Sequence, residues 1–222
     1  MFRVIYEDEN YLAIDKLLPV PCLRQEGSSG LSDDVLLEYP TLSNLPDFGF
    51  THRLDNETLG LILLAKNLTH YEGIRALFKN KEMKKTYHAR VRGVLKDDEG
   101  EIDYPVAHSK KSNKRMVVVM PGYRIYRGEP RTAFTSWKIL NRRTDSTDLE
   151  LKASTGVRHQ IRVHLESIGH PICGDALYSD YSEDYPSLML ISKTITFNCP
   201  STGKEIKLVS TLSLDSMFNY IR

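Results

Sequence analysis

Long apolar runs are missing from this chain of 222 residues, so no segment offers the roughly 20 consecutive apolar residues that a membrane-spanning helix needs. Cysteine is scarce. Cys22, Cys173 and Cys199 are odd in number and far apart, with neither disulfide-framework nor zinc spacing, which predicts three reduced thiols in a cytosolic protein. Net charge is nearly absent at +1, so any nucleic-acid contact has to come from local clustering of basic residues rather than from the total. Internal repeats, low-complexity linkers and a glycine-rich phosphate loop are also missing, and the last of these argues against a nucleotide hydrolase. The start, Met1-Phe2-Arg3-Val4-Ile5-Tyr6-Glu7-Asp8, turns acidic at once and lacks the layout of a secretory signal.

What is present is an ordinary globular composition with three informative segments. The first is His52-Arg53-Leu54-Asp55, followed by the aliphatic run Leu59-Gly60-Leu61-Ile62-Leu63-Leu64-Ala65. A run that short and that apolar predicts a strand buried on both faces, with Asp55 held at its mouth. Taken alone, this segment favours Asp55 as a turn or capping residue. Around it, Val4–Tyr6 and Tyr11–Ile14 read as short strands, Ser32-Asp33-Asp34 starts a helix, and Asn67 caps a helix with Leu68, Tyr71, Ile74, Leu77 and Phe78 at helical spacing.

The second segment is Lys85-Thr86-Tyr87-His88-Ala89-Arg90-Val91-Arg92. Its alternation puts Tyr87, Ala89 and Val91 on one face and aims His88, Arg90 and Arg92 at solvent. Further on, the basic stretch His108–Arg115 and nearby Tyr123 suit a phosphate backbone with an aromatic for base stacking, or simply a solvated face. The third segment is Ser154-Thr155-Gly156-Val157-Arg158-His159-Gln160-Ile161-Arg162-Val163-His164-Leu165, read as a helix capped by Ser154 or Thr155, striped by Val157, Ile161, Leu165 and Ile168, and stopped at Gly169. Arg162 lies beside the stripe, where a guanidinium can meet a carboxylate or phosphate. His159 and His164 are on different helix faces, so no metal site is expected from them.

These segments, in this order and continuing into Gly169-His170-Pro171-Ile172-Cys173-Gly174-Asp175-Ala176-Leu177-Tyr178, resemble the RluA-type RNA pseudouridine synthases from about Val4 to about Lys207. The resemblance implies an α+β fold: a mixed, mostly antiparallel sheet in two subdomains with peripheral helices and a central catalytic cleft, all in a single catalytic domain over 1–222 with no separate N-terminal RNA-binding domain. It implies an isomerase acting on a uridine of tRNA or rRNA without cofactor or metal, cytoplasmic, with RNA as its partner, no membrane, and a monomeric state. Asp55 aligns with the essential aspartate, which either attacks the sugar or base as a nucleophile or removes a sugar proton. Arg162 aligns with the arginine that pairs with it, and Tyr87 with the tyrosine that stacks on the target uracil. Arg53 aligns with the residue that fills the gap left by the extruded base, and His52, His159 and Gln160 with substrate-binding positions.

The chain departs from the family pattern at Leu59, at Val157-Arg158, at Lys16-Leu17-Leu18-Pro19 and at Leu190-Ile191-Ser192. None of these removes a catalytic match. The alternative is a catalytically silent RNA-binding or RNA-chaperone relative, against which the joint presence of Asp55, Tyr87 and Arg162 argues.

Overall fold

The computed structural model describes residues 1–180, 185 and 187–219. The chain divides into two compact units, Met1–Lys85 with Ile191–Arg222, and Thr86–Leu190. The fold is α+β, with mostly antiparallel sheets and three α-helices among the described residues.

In the first unit β1 (Phe2–Glu7), β2 (Tyr11–Lys16) and β3 (Leu59–Ala65) pair antiparallel in that order. β11 (Leu190–Asn198) lies parallel to the start of β3, through Ile191 opposite Leu59 and Ser192 opposite Gly60, and β12 (Glu205–Val209) closes the sheet antiparallel to β11. Every residue of β3 is buried, as a strand covered on both faces requires.

The pleat sorts the side chains. Tyr11, Ala13, Leu61 and Leu63 form one core with Ile74 of α2 (Leu68–Lys79), whereas Leu12, Ile14, Ile62 and Leu64 form another with Leu31 and Val35 of α1 (Leu31–Glu38). One helix therefore covers each face. Asn67 caps α2 as expected, its side chain accepting from the His70 amide at 3.1 Å. α1 opens one residue before the predicted Ser32. Its first turn is closed by Asp33, which accepts from Gly30 N, while the buried Ser32 hydroxyl accepts from Arg24 N.

In the second unit β4 (Lys84–Arg92), β10 (Ser146–Ala153), β9 (Thr135–Arg142) and β5 (Glu99–Ile102) form an antiparallel sheet in that order. A separate three-stranded sheet runs β7 (Met116–Val118), β6 (Val106–Ser109), β8 (Tyr126–Arg131). Val163 of α3 (Gln160–Ser167) packs with Val106, Met116 and Tyr178 under this small sheet.

Two sequence expectations are corrected here. Arg90 does not point to solvent: β10 sets Asp148 directly opposite, and the buried guanidinium donates from Nε at 2.6 Å and from Nη2 at 3.1 Å to its two carboxylate oxygens. Neighbouring His88 faces Glu150 in the same register. The third helix also begins later than Ser154 or Thr155. The Thr155 hydroxyl donates to Gln160 Oε1 instead of capping, and α3 starts after His159, whose backbone is left-handed at φ 54°.

Candidate active site

Asp55 sits in the polar segment that leads into β3. The segment is anchored through its backbone at several points. Thr51 Oγ1 donates to Leu63 O at 2.6 Å, and Leu63 N donates to His52 Nε2 at 3.1 Å, so both residues are tied to the middle of β3. The Cys22 thiol accepts from Leu54 N at 3.3 Å and donates to Leu54 O at 3.4 Å. Lys16, fully buried at the end of β2, donates from Nζ to the carbonyls of Val20, Asp55 and Asn56 at 2.9, 3.0 and 2.6 Å. Thr58 N closes a turn on the same Asp55 carbonyl at 3.1 Å. An ammonium has three donors, and here each has a carbonyl. The Asp55 backbone is thus fixed on both sides, while its side chain is half-buried and that of Arg53 is exposed.

The electrostatics follow from burial. His52 is held down to about 3 by desolvation, with the Lys85 and Arg75 charges adding to the effect, so its imidazole is neutral and Nε2 serves as an acceptor. Burial also lowers the Lys16 ammonium to about 8, opposed by Cys22, Asp55 and Glu57.

A pH prediction follows from Lys16. Above about pH 8 the neutral amine offers two donors to three carbonyls, so turnover should fall there, and Lys16→Arg should remove that alkaline limb. Global stability should move the other way. The unfolded lysine keeps its proton up to its ordinary 10.5, so between about 8 and 10.5 the unfolded chain binds more protons and the fold gains stability as pH rises. Lys16→Met should lower turnover by about 10²-fold at neutral pH, the usual cost of misplacing a reacting group by an ångström. Pre-steady-state rates and thermal midpoints across this pH range check both limbs. A parallel loss of rate and melting temperature would rule out the local explanation.

The second unit carries the other candidates. Tyr87 lies in β4 opposite Leu151 and is half-buried. Arg162 is buried in α3 and donates from Nε to Asp175 Oδ2 and from Nη2 to Asp175 Oδ1, each at 2.8 Å. Asp175 Oδ1 also accepts from the amides of Leu177 and Tyr178, at 2.9 and 3.1 Å, so the carboxylate is rigidly held. The Tyr178 ring lies beneath two guanidinium groups, Arg115 at 5.0 Å and Arg162 at 5.3 Å from its centroid.

The Tyr178 hydroxyl accepts from Met116 N at 2.7 Å and lies 2.9 Å from His159 Nδ1. Desolvation and the charges of Arg162 and Arg158 hold His159 down to about 3, so its ring is neutral and shares one hydrogen bond with the hydroxyl. The Gln160 amide is used by the protein: Oε1 accepts from Thr155 Oγ1 and Val157 N, and Nε2 donates to Phe134 O and Thr135 Oγ1. His164 likewise bridges Thr135 Oγ1 and Tyr104 O. Among the described residues no group of three or more His, Cys, Asp or Glu is placed to hold a metal ion, and no helix is long and apolar enough to cross a membrane.

Sequence reasoning missed Lys16, Cys22, Asp175 and Tyr178. For Lys16 a signal existed, since a lysine ends the apolar strand Tyr11-Leu12-Ala13-Ile14-Asp15-Lys16, where a solvated charge is out of place.

The model for the RNA pseudouridylate synthase family matches residues 10–167. An uncharacterized RNA pseudouridine synthase of Aquifex aeolicus is 34% identical over 85% of this chain, and the chain spans 59% of that protein's length. The ribosomal large subunit pseudouridine synthase D of Pseudomonas aeruginosa is 30% identical over 97% of this chain and 70% of its own length. Among solved structures, human RNA pseudouridylate synthase domain containing 1 superposes with a TM-score of 0.76 at 22% identity, over 100% of this chain and 95% of that one, which speaks to the fold. The chain belongs to the RNA pseudouridylate synthase family, a family of isomerases.

Proposed function

We propose that this protein isomerises a uridine of tRNA or rRNA to pseudouridine, with Asp55 as the reacting carboxylate. The observation that carries this reading is the way Lys16, Cys22 and Thr58 fix the backbone on both sides of Asp55 and so set where its carboxylate is held. Such immobilisation has a purpose if the carboxylate must meet a reacting atom. In the reaction the bond from C1′ of the ribose to N1 of the uracil breaks, the base turns, and C1′ bonds to C5. The C5 proton leaves and N1 gains one, so no oxidant, reductant or cofactor enters the balance. Asp55 acts as a nucleophile or as the base that removes a sugar proton, and both roles need it ionised. Arg162 supplies the balancing positive charge.

Tyr87 stacks on the uracil and assists loss of the C5 proton. Arg53 fills the gap left by the extruded base, offsetting the few kcal/mol that extrusion costs. His52 and His159, both neutral, and Gln160, engaged by Phe134 and Thr135, shape the site around the substrate. A monomer acting in the cytoplasm completes the proposal.

Pseudouridine mapping of total RNA from cells with and without the gene tests the reading. Sites present only with the gene would establish the activity and name the RNA, and identical maps would sink it. For Tyr87→Phe we expect RNA affinity within about twofold of wild type and a loss of roughly 10²-fold in the step that releases the C5 proton, read as tritium release from uridine labelled at that carbon. Wild-type release in that variant would remove the hydroxyl from the reaction.

A further inference from the structure

The charge of this chain is unevenly placed. Residues 104–131 hold seven lysines and arginines and one acidic residue, Glu129, so this stretch carries +6 where the whole chain carries +1, and the remainder is net −5. The stretch is the small β7–β6–β8 sheet with its connections. Lys110, Lys111, Lys114, Arg124, Arg127 and Arg131 are all exposed, and among the described residues none of the six has a carboxylate partner. A charge run of this kind is usually a solvated face, but here it borders a built groove.

The groove is a cavity of about 470 Å³, lined chiefly by Tyr104, Met120, Tyr123, Arg124 and Tyr126, with Asp103 as its carboxylate. It is shallow and largely open to solvent, a surface against which a flat ring can lie rather than an enclosed pocket. Backbone contacts shape part of its wall. Met120-Pro121-Gly122-Tyr123 is a tight turn closed by Tyr123 N on Met120 O at 3.0 Å, with Gly122 at φ 83°, as a proline-glycine turn of the second type demands. The Tyr104 carbonyl is anchored by His164 Nε2 from α3, the helix that bears Arg162, and Val119 N bonds Pro105 O across the groove's base. Tyr104 is 37% exposed and Met120 38%, so apolar surface stays open to solvent.

We infer that this groove is a second RNA subsite, which takes an unstacked nucleobase of the substrate other than the reacting uridine. Three tyrosines around one cavity offer stacking faces that any base accepts, and a carboxylate among them can receive a base N–H. The unpaired cations along the sheet take the flanking phosphates, and because the rest of the chain is net negative, they draw the RNA to this sheet. The inference rests on the reading of the protein as an RNA-modifying enzyme, but it concerns binding and can be tested without turnover.

The test uses the full chain and a labelled, short single-stranded RNA of mixed sequence carrying 4-thiouridine. Fluorescence anisotropy should show affinity falling about tenfold in Tyr123→Ala and in Tyr126→Ala, with Tyr123→Phe within about twofold of wild type, since the stacking face survives. Lys110→Ala should lower the slope of log affinity against log salt by about one, whereas Lys207→Ala, an exposed lysine of the first unit, should leave both quantities unchanged. Photocross-links should map within residues 119–127. Wild-type affinity in both tyrosine variants, or cross-links confined to other peptides, would overturn the subsite. Should the tyrosine variants lose affinity while the wild-type protein forms no pseudouridine in any RNA, the subsite stands and the proposed reaction fails.

Discussion

Asp55→Ala should yield a folded protein that binds RNA and forms no measurable pseudouridine, a loss of about 10⁴-fold or more. The expectation that the fold survives comes from which atoms anchor the loop. Lys16 Nζ and Thr58 N both hold the Asp55 carbonyl, and Cys22 holds the backbone of Leu54. Alanine keeps all of these, so thermal unfolding should shift by no more than a few degrees. Asp55→Asn separates charge from shape: it preserves the outline of the side chain and removes its negative charge, and it should be as inactive as alanine. Tritium release from labelled uridine, measured in single turnover, checks both variants. Release at the wild-type rate in either would remove Asp55 from the chemistry, and a collapse of the melting temperature would make the aspartate a structural residue.

Local patterns in the sequence were readable where a contact is short-range or where burial is two-sided. The strand Leu59–Ala65 announces itself by its composition, and the Asn67 cap by its place before an amphipathic helix. The loop that holds Asp55 was located by position, but what makes it rigid was not, because Lys16 reaches it from about 40 positions away. The same distance problem hid the Arg90–Asp148 pair. A period of two places Arg90 opposite Ala89 and Val91 across the strand but says nothing about which carboxylate the neighbouring strand sets beside it, and so whether the guanidinium is wet or buried. The start of α3 differs from the sequence expectation for a local reason. Thr155 has the chemistry of a cap, yet its hydroxyl is taken by Gln160, a competition that side-chain propensity alone does not reveal.

Asp175→Asn should destabilise the protein by about 3–5 kcal/mol, and Arg162→Met in the same chain should restore most of that loss without restoring turnover. Both partners are all but inaccessible, with 1% and 0% of their side chains exposed. At that depth a guanidinium that loses its opposing carboxylate costs far more than the intact pair contributes, whereas replacing the charge by an apolar chain of similar length is tolerated. Asparagine is the informative replacement because its carbonyl oxygen can still accept from Leu177 N and Tyr178 N, so the local turn persists while the charge is gone. The double variant should therefore unfold within about 2 kcal/mol of wild type. Its turnover should stay as low as that of Arg162→Met alone, since Asp175 acts on the reaction only by holding Arg162. Urea titration and tritium release on the three variants separate the two roles. A double variant as unstable as Asp175→Asn would show that the Asp175 turn, and not the broken Arg162–Asp175 pair, sets the stability; a double variant with wild-type turnover would show that the reaction does not need the arginine.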